Sequence, residues 1–500
     1  MRSALRAEWV KFATVRGWVI AMIVAALAII ALGVGPGNGH GSCNVASCLG
    51  PVGPGGEAVT DSFYFVHQPL DGDGSITVRV ASLASQVPAP DFSETANPGT
   101  RAGLVPWSKA GIIIKASTAE GSAYAAMMAT GGHGVRMQWN YIGDTAGLAG
   151  AVSPATPRWL RLTRSGNTIT GYDSADGTRW SRVGAVRLAG LPVTAQAGML
   201  VTSPQYATAG LMQDNVSGGL TQTTAVFDHV RLTWPGGAWT GTDIGPVQGP
   251  APGPATGYQQ AGGRFTVTGT GDIAPAVSGA DGIGTTLAQT LIGTFAGLIV
   301  VAVVAVMFMT AEYRRGLIRV TLAAVPGRGR MLAAKAIVIG GVTFVTGLAA
   351  AAVAVIAGQR ILRDNGVALW PTSDLTQARV IVGTAAALAL LAVIGLALGA
   401  VLRRGAGAVA ATVAVVVLPY LLTVAIPILP AGAAQWVDRV TPAAAFAVQQ
   451  TVVAYPQVDN LYVPSAGYYP LAPWAGFAVL CAWTAAALGL AWYLLRRRDA

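Results

Sequence analysis

Residues 287–309, LAQTLIGTFAGLIVVAVVAVMFM, form a run without a single charged side chain. Such a run is long enough to cross a bilayer as a helix, because the hydrocarbon layer requires roughly 20 apolar residues. Five further uncharged runs of comparable length lie at 18–34, 337–357, 380–402, 406–430 and 474–495. The sequence therefore predicts an α-helical membrane protein with six transmembrane helices.

The composition of the whole chain agrees with this prediction. The 500 residues are 53% hydrophobic and only 11% charged, whereas an average soluble domain carries about 25% charged residues. An ordinary soluble enzyme is therefore excluded. We expect five segments: an N-terminal helix and the first span at 1–34, a linker at 35–60, an inserted domain at 61–234, a Gly/Pro-rich linker at 235–286, and five spans at 287–500.

Basic residues indicate the orientation, because Lys and Arg concentrate in the cytoplasmic loops of membrane proteins. Fifteen of the 32 basic residues, against three acidic ones, fall on the side that would hold both termini. They are Arg2, Arg6, Lys11, Arg16, Arg314, Arg315, Arg319, Arg328, Arg330, Lys335, Arg403, Arg404, Arg496, Arg497 and Arg498. We expect a multi-pass plasma-membrane protein with cytoplasmic termini and an extracytoplasmic insertion. The net charge of +10 then needs no nucleic-acid partner.

The N-terminal segment allows more than one interpretation. The first apolar run is short and ends in small residues, as in a signal peptide, but the basic segment before it is long for one. Leu5, Trp9 and Phe12 are spaced for one face of a helix, which predicts an interfacial helix. A frayed basic tail is the alternative.

The cysteines fit an external location for the insertion. Cys43 and Cys48 lie close after the first run, where an oxidising medium would allow a small disulfide loop. Two free thiols are the alternative. No metal site is predicted, because only His40 lies nearby. Cys481 falls within the last run and is expected to pack as a small apolar residue.

Short runs that alternate apolar and polar residues fill the inserted block. Residues 75–81 (SITVRVA) and 159–163 (WLRLT) are examples, and Gly, Asn, Asp and Ser separate the runs. This pattern predicts an all-β sandwich of short antiparallel strands.

Four stretches of the block resemble the strand and turn pattern of concanavalin A-like lectin/glucanase sandwiches. They are 111–115 (GIIIK), 159–167 (WLRLTRSGN), 171–180 (GYDSADGTRW) and 227–230 (FDHV). The resemblance implies a jelly-roll sandwich that binds or hydrolyses glycans.

Hydrolysis of a glycosidic bond requires two carboxylates that face each other. Glucanases of this fold take them from an E-x-D-x-x-E strand, and Glu57, Glu94 and Glu120 have no second acid at that spacing. We therefore expect no catalytic residue. The aromatic residues that could stack on sugar rings, unless they belong to the core, are Trp107, Trp139, Tyr141, Tyr172 and Trp180.

None of the six apolar runs contains Asp, Glu, Lys, Arg or His. This disfavours a carrier driven by an ion or proton relay in the membrane. ATP binding through a Walker A loop is also excluded, since that loop needs a Gly-Lys pair. The four lysines, Lys11, Lys109, Lys115 and Lys335, follow Val, Ser, Ile and Ala. We expect no cofactor in this chain.

Residues 311–335 (AEYRRGLIRVTLAAVPGRGRMLAAK) join the second and third runs on the basic side. Breaks at Gly316 and at Pro326-Gly327 enclose a short amphipathic segment, which suits docking into a groove of a partner. The stretch is similar to the coupling loop of ABC-2-type transporter permeases. The matching positions are Glu312, Arg315, Gly316, Thr321, Pro326 and Lys335. A basic loop that only sets the topology is the alternative.

The permease resemblance covers 1–34 and 285–500 and implies the membrane subunit of an ATP-driven exporter. The implied partners are an ATPase subunit that binds ATP and Mg²⁺, a second copy of the permease and the lipid bilayer, and the sandwich resemblance adds a cell-surface glycan. The residues expected to contact the ATPase are Glu312, Arg314, Arg315, Gly316, Thr321, Pro326 and Lys335. The alternative is a membrane-anchored glycan-binding receptor or adhesin that does not transport, for which six spans exceed the need.

Overall fold

The computed structural model describes residues 2–35, 50–88, 100–209, 216–245, 255–278, 285–314, 316, 327–367, 369–425, 429–460 and 462–497. It combines a helical part with a sandwich-like pair of β-sheets inserted between the first and second long apolar helices. The predicted combination of apolar helices and an inserted β domain is therefore present.

In the part of the chain that the structure describes, eight helices make up the framework of the helical part. They are α1 (Arg2–Thr14), α2 (Arg16–Val34), α3 (Thr294–Arg314), α4 (Arg328–Asp364), α5 (Asp374–Leu402), α6 (Gly405–Thr423), α7 (Ala431–Val440) and α8 (Pro473–Arg497). Among the described residues, α2, α3, α4, α5, α6 and α8 are long and apolar enough to cross a membrane. Their number and length indicate a multi-pass membrane protein.

The helix predicted at 287–309 is divided in the structure. One helical turn at Leu287–Thr290 precedes α3, which begins only at Thr294. The break lies where α2 comes closest, because a β-carbon on Gly33 would collide with the Thr290 carbonyl oxygen and one on Gly293 with that of Ile29. Glycine at both positions therefore allows the two backbones to touch, as small residues do between membrane helices.

Helix α5 is the central element of the helical part, since α3, α4 and α8 all pack against it. Gly395 and Gly399 face α3, and a β-carbon on Gly399 would lie 3.2 Å from the Met309 β-carbon. Helix α6 continues from Thr412 into π-helical turns around Pro419, because a proline disturbs the regular hydrogen bonding of a helix. A buried 3₁₀ helix, Pro442–Gln449, packs between α5 and α8.

Nineteen strands are described in the β domain and its flanks. They are β1 (Val59–Asp61), β2 (Phe63–Asp71), β3 (Gly74–Pro88), β4 (Thr100–Ala102), β5 (Lys109–Lys115), β6 (Tyr124–Thr130), β7 (Val135–Trp139), β8 (Gly143–Ala146), β9 (Arg158–Ser165), β10 (Thr168–Ser174), β11 (Ser181–Arg187), β12 (Thr194–Thr202), β13 (Tyr206–Ala209), β14 (Val216–Gly219), β15 (Gln222–Leu232), β16 (Thr240–Ile244), β17 (Gly257–Ala261), β18 (Arg264–Gly269) and β19 (Ile273–Pro275).

Two antiparallel sheets form the sandwich. Sheet I has the order β11-β10-β9-β3-β15-β18-β17 with β4 beside β3, and sheet II has the order β16-β2-β12-β5-β6-β7-β8. Alternate residues of each strand meet between the sheets, as Ile112 and Ile114 of β5 and Val78 of β3 do. The apolar and polar alternation of the sequence thus predicts the core correctly.

The predicted boundaries of the β domain need correction. The expected linker 235–286 contains β16, which extends sheet II, and β17 and β18, which extend sheet I. The expected linker 35–60 contains the start of β1, which pairs with β19. These strands are short and lie beside Gly/Pro-rich stretches. The alternation of apolar and polar residues in a strand such as β18 (RFTVTG) was therefore not recognised from composition.

The β1–β19 ribbon covers the outer face of sheet II, and two buried lysines of β5 hold it there. Lys115 Nζ lies 2.8 Å from Asp61 Oδ2 in β1, and Lys109 Nζ lies 2.6 Å from Asp272 Oδ1, beside β19. Tyr141 also donates to Asp61 Oδ2, at 2.6 Å. Both lysine side chains are fully buried. The ribbon through which the chain enters and leaves the sandwich is therefore fixed to its body by charge pairs.

The segment before α8 contacts the same side of the sandwich. Gln457 Nε2 donates to the Ile142 carbonyl oxygen at 3.1 Å, next to sheet II. The Ser278 N–H donates to Tyr468 Oη at 2.8 Å, and Asn460 Nδ2 donates to the Ser278 carbonyl oxygen at 2.7 Å. Sheet II therefore faces the helical part, and the outer face of sheet I is turned away from it.

We predict that Lys115→Met lowers the free energy of unfolding of the sandwich by about 3–5 kcal/mol, because it leaves the Asp61 carboxylate buried without a cation. The double variant Lys115→Met/Asp61→Leu should recover most of this loss, since an apolar pair replaces the ion pair. Unfolding followed by tryptophan fluorescence measures both. Arg79→Met is the control: its pair with Asp228 is partly exposed, so its loss should stay within about 1 kcal/mol. Equal losses for Lys115→Met and Arg79→Met would contradict the prediction.

Candidate functional site

Four charged side chains meet where α1, α3 and α4 come together. Lys335 Nζ of α4 lies 2.7 Å from Glu8 Oε2 of α1 and 2.8 Å from Glu312 Oε1 of α3. Lys11 Nζ of α1 lies 2.9 Å from Glu8 Oε1 and 2.8 Å from Glu312 Oε1. We call these four residues the charge cluster. Two acids and two bases make it neutral overall.

Sequence position explains how three helices supply the charge cluster. Glu8 and Lys11 are three residues apart and share one face of α1. Glu312 lies in the last turn of α3 and Lys335 in the second turn of α4, beyond the uncharged runs of these helices. Phe12 of α1 packs in the same core as α3 and α4. The apolar face of α1 therefore brings its charged pair to the ends of the two long helices.

The charge cluster is shielded from water. The Lys335 side chain is fully buried, those of Glu8 and Glu312 are nearly so, and that of Lys11 is 40% exposed. The Lys335 ammonium also lies 4.5 Å from the centre of the Phe308 ring, a favourable cation–π distance. Partial burial lowers the pKa of Lys11, but hydrogen bonds to Glu312 and Glu8 outweigh it, and the pKa is raised above its ordinary value.

The structure separates the residues expected to contact an ATPase. Glu312 and Lys335 are buried in the charge cluster, so they join the ends of segment 311–335 to α1 rather than face a partner. Arg314 and Gly316 are exposed. Arg315, Thr321 and Pro326 lie outside the described residues. Arg314 and Gly316 are thus accessible to an ATPase. Glu312 and Lys335 could affect such a contact only indirectly, because they join α3 and α4 to α1.

Glu8 and Lys11 were not predicted as partners of this segment. Their spacing of three residues on one helix was a usable local signal, and in the structure Glu8 lies on the buried face of α1 with Ala4 and Phe12. Nothing in the sequence related them to residues more than 300 positions away.

The five aromatic residues considered for sugar stacking do not converge on one site. Trp107 and Tyr141 are buried, with Trp107 stacked on His133 at 4.1 Å between ring centres. Trp139 is half-buried and packs against the sandwich core. Tyr172 lies on β10 of sheet I and Trp180 lies directly before β11, and both are half-buried. The core interpretation therefore fits three of the five.

Cys43 and Cys48 lie outside the described residues. Cys481 is a free thiol on an exposed face of α8, and its expected role as a small apolar residue of the last span stays a prediction. Within the described part of the chain, no group of three or more His, Cys, Asp or Glu residues has an arrangement that could hold a metal ion.

Another buried carboxylate in the helical part belongs to Asp438. Asp438 of α7 is 1% exposed and accepts a hydrogen bond from Thr423 Oγ1 at 2.8 Å. Its Oδ2 atom has no hydrogen-bond partner among the described residues. Burial raises the pKa of Asp438 to about 7, although the bond from Thr423 acts in the opposite direction.

Comparison with known proteins gives little. No family model and no curated protein matches the chain. It is similar in part to a functionally unknown protein from Saccharomyces cerevisiae (17% identity, 35% of this chain and 76% of that one, TM-score 0.22). It is also similar to scytalido-glutamic peptidase with a transition state analog inhibitor (7% identity, 42% and 98%, TM-score 0.25) and to a mutant of the GH43 protein BlXynB from Bacillus licheniformis (19%, 26% and 24%, TM-score 0.16). Scores this low carry no argument about fold or function.

We predict that Lys335→Met releases α1 from α3 and α4, because the Glu8 and Glu312 carboxylates then share only the half-exposed Lys11 as a counter-charge. The cost of removing one partner of a buried pair is about 3–5 kcal/mol. Chymotrypsin cleavage after the exposed Trp9 of α1 measures the release and should become at least tenfold faster. Lys11→Met is the matched control, with a smaller increase expected from its exposure. Cleavage that is equally fast in both variants would refute the special role of the buried lysine.

We predict a pH effect from Asp438. Because its folded pKa, about 7, lies above the ordinary value near 4, the folded protein holds a proton that the unfolded chain loses between these values. Stability therefore falls as pH rises from about 4 to about 7. Asp438→Asn should remove this fall and raise the melting temperature at pH 8, with little change at pH 4.5. Asp364→Asn, at an exposed position, should leave the profile unchanged; an unchanged profile in Asp438→Asn would contradict the assignment.

Proposed function

We propose that the chain is the membrane-spanning subunit of an ABC-2-type ATP-driven exporter. In this proposal the six long apolar helices cross the plasma membrane, with both termini on the cytoplasmic side. Segment 311–335 docks onto a separate ATPase subunit, which supplies ATP and Mg²⁺, and two copies of the chain enclose the pathway.

The charge cluster carries the proposal. Segment 311–335 begins in α3 and ends in α4, and Glu312 and Lys335 join these ends directly at 2.8 Å. Glu8 and Lys11 add α1 to the same assembly. A push on the segment would therefore move three helices as one body, which is what transmission from an ATPase to the membrane requires. A loop that only set the topology would need no buried charges at its ends, because a buried ion pair is costly to assemble.

The inserted domain fits the proposal as an external module. We propose that it is a concanavalin A-like jelly roll that contacts a cell-surface glycan. Sheet II faces the helical part, and the outer face of sheet I is open. The buried pairs of Lys109 and Lys115 fix the sandwich to the ribbon that continues towards α2 and α3. Ligand binding on the outer face and helix movement would in this way be mechanically connected.

A second candidate is a glycan-binding receptor or adhesin that does not transport. The open outer face of sheet I favours it, since such a protein needs only an anchor and a binding surface. The charge cluster does not favour it, because an anchor has no need to couple α1, α3 and α4. The two candidates differ in one observable: whether an ATPase is bound on the side of segment 311–335.

We predict that the tagged chain, purified from its native membrane, carries an ATP-hydrolysing subunit, and that Arg314→Glu reduces the co-purified ATPase activity at least fivefold. Arg314 is exposed at the end of α3, so the change reverses a surface charge without opening the charge cluster. Arg404→Glu is the matched control, since it makes the same change at an exposed position after α5. A chain purified without ATPase activity, or equal losses in both variants, would exclude docking through 311–335 and favour the receptor.

A further inference from the structure

The outer face of sheet I is an accessible surface of defined composition. On β3, Ile76, Val78 and Val80 point into the core, so Thr77 and Arg79 lie on the opposite face. The ribbon and the contacts with the helical part lie on the side of sheet II. Side chains of the outer face of sheet I are therefore available to a ligand outside the molecule.

A row of directly paired residues crosses five strands of this face. Arg231 of β15 is opposite Thr77, Thr77 is opposite Arg161 of β9, Arg161 is opposite Tyr172 of β10, and Tyr172 is opposite Arg182 of β11. Directly opposite residues share one face of a sheet. We call the row, together with Trp180, the arginine strip: Thr77, Arg161, Tyr172, Trp180, Arg182 and Arg231.

The spacing of the strip follows from the strand spacing. Neighbouring strands lie about 4.8 Å apart, so the row is about 19 Å long and carries an arginine at every second strand, about 10 Å apart. Arg182 and Arg231 are exposed at the two ends, and Arg161 is half-buried at the centre. Tyr172 lies between Arg161 and Arg182.

The centre of the strip is held in place. The Arg161 guanidinium lies 3.9 Å from the centre of the Trp180 ring, and its Nε donates to Thr77 Oγ1 at 3.0 Å. A stacked arginine with one nitrogen already bonded loses little freedom when a ligand binds its other nitrogens. Asp228 of β15 lies opposite Arg79 and is already bonded by it through two nitrogens at 2.7 and 2.6 Å. It therefore does not neutralise the strip.

The charge of the strip contrasts with that of its domain. Residues 35–286 contain 13 basic and 15 acidic side chains, so the insertion as a whole is slightly negative. Three arginines in one row attract an anion locally. A nucleic acid, with its dense phosphate charge, would be repelled by the remainder of the domain. Aromatic rings interleaved with arginines at about 10 Å spacing suit a chain of sugar rings with widely spaced charges.

We propose that the arginine strip binds an anionic glycan, a sugar polymer whose carboxylate or phosphodiester groups pair with Arg161, Arg182 and Arg231 while its rings pack on Tyr172 and Trp180. This deepens the proposed function by naming the ligand class of the external domain, and it rests on that function only for the location of the sandwich outside the cell. The glycan lies across the strands, along the row.

Binding is measured with the full chain in nanodiscs of neutral lipid. The probes are polygalacturonate for carboxylates, a polysaccharide of sugar rings joined by phosphodiesters for phosphodiester groups, dextran as the uncharged polymer and oligo(dT) as a nucleic acid. We expect one or both anionic glycan probes to bind, dextran and oligo(dT) to bind at least tenfold more weakly, and affinity to fall with salt because the contacts are ionic. The two anionic probes distinguish the sources of charge.

Three sets of variants assign the binding to the strip. Replacing Arg161, Arg182 and Arg231 by Ala should weaken binding at least tenfold. Trp180→Ala should weaken it severalfold with an unchanged salt dependence. Arg101→Ala is the matched control: Arg101 is exposed on β4 and lies opposite Val87, ten residues along β3 from Thr77. It should bind as the unaltered chain does, and unchanged melting temperatures verify the fold of every variant.

The outcomes separate this proposal from the transport function. Absence of binding by both anionic probes at low salt, equal binding of dextran, preference for oligo(dT), or equal effects of the strip and Arg101 variants would each overturn it. None of these results depends on an ATPase. A chain that is purified without an ATPase but shows strip-dependent glycan binding would instead refute the exporter function and support the proposed ligand.

Discussion

A charged lysine side chain leaves water at low cost only if an opposite charge goes with it, and this constraint organises the molecule. Of the four lysines in the chain, Lys109, Lys115 and Lys335 have fully buried side chains. Each is paired with an acid from a distant segment, and each pairing marks a junction: the two ends of the ribbon on sheet II, and the meeting of α1, α3 and α4. Exposed cationic positions are filled almost entirely by arginine. Lysine, rare elsewhere, is used where elements must be held together.

Much of the architecture could be predicted from the sequence, because buried residues recur at regular intervals along strands and form continuous apolar runs in membrane helices. Uncharged runs such as 380–402 indicated the long helices, and the alternation in β3 and β9 indicated the sheets. The wrong predictions concern segments whose composition did not reveal their secondary structure. Gly/Pro-rich composition concealed β16 to β19, and the apolar run 287–309 did not reveal the break before Thr294. That break depends on the close approach of Gly33, which is a property of the partner helix and not of the run itself.

The candidate sites were less predictable, because they arise from pairing between distant elements. Glu312 and Lys335 were singled out through a family resemblance, but their partners Glu8 and Lys11 depend on how α1 packs. Glu312 and Lys335 were expected to contact an ATPase, but both are buried, and they connect α3 and α4 to α1 instead. Among the aromatic residues, spacing could not distinguish Tyr141, buried against Asp61, from Tyr172 on an accessible face. The arginine strip exists only through the register of five strands, which no local pattern specifies.

The ribbon also bears on how such a chain can change over evolutionary time. Val59 in β1 is directly opposite Pro275 in β19, so the insertion starts and finishes at neighbouring points. A domain with adjacent ends can be acquired, exchanged or deleted as a unit, because the flanking polypeptide keeps its course. Selection can then act on the sandwich and on the helices as separate modules: new recognition surfaces can be tried outside while the helix bundle retains its packing.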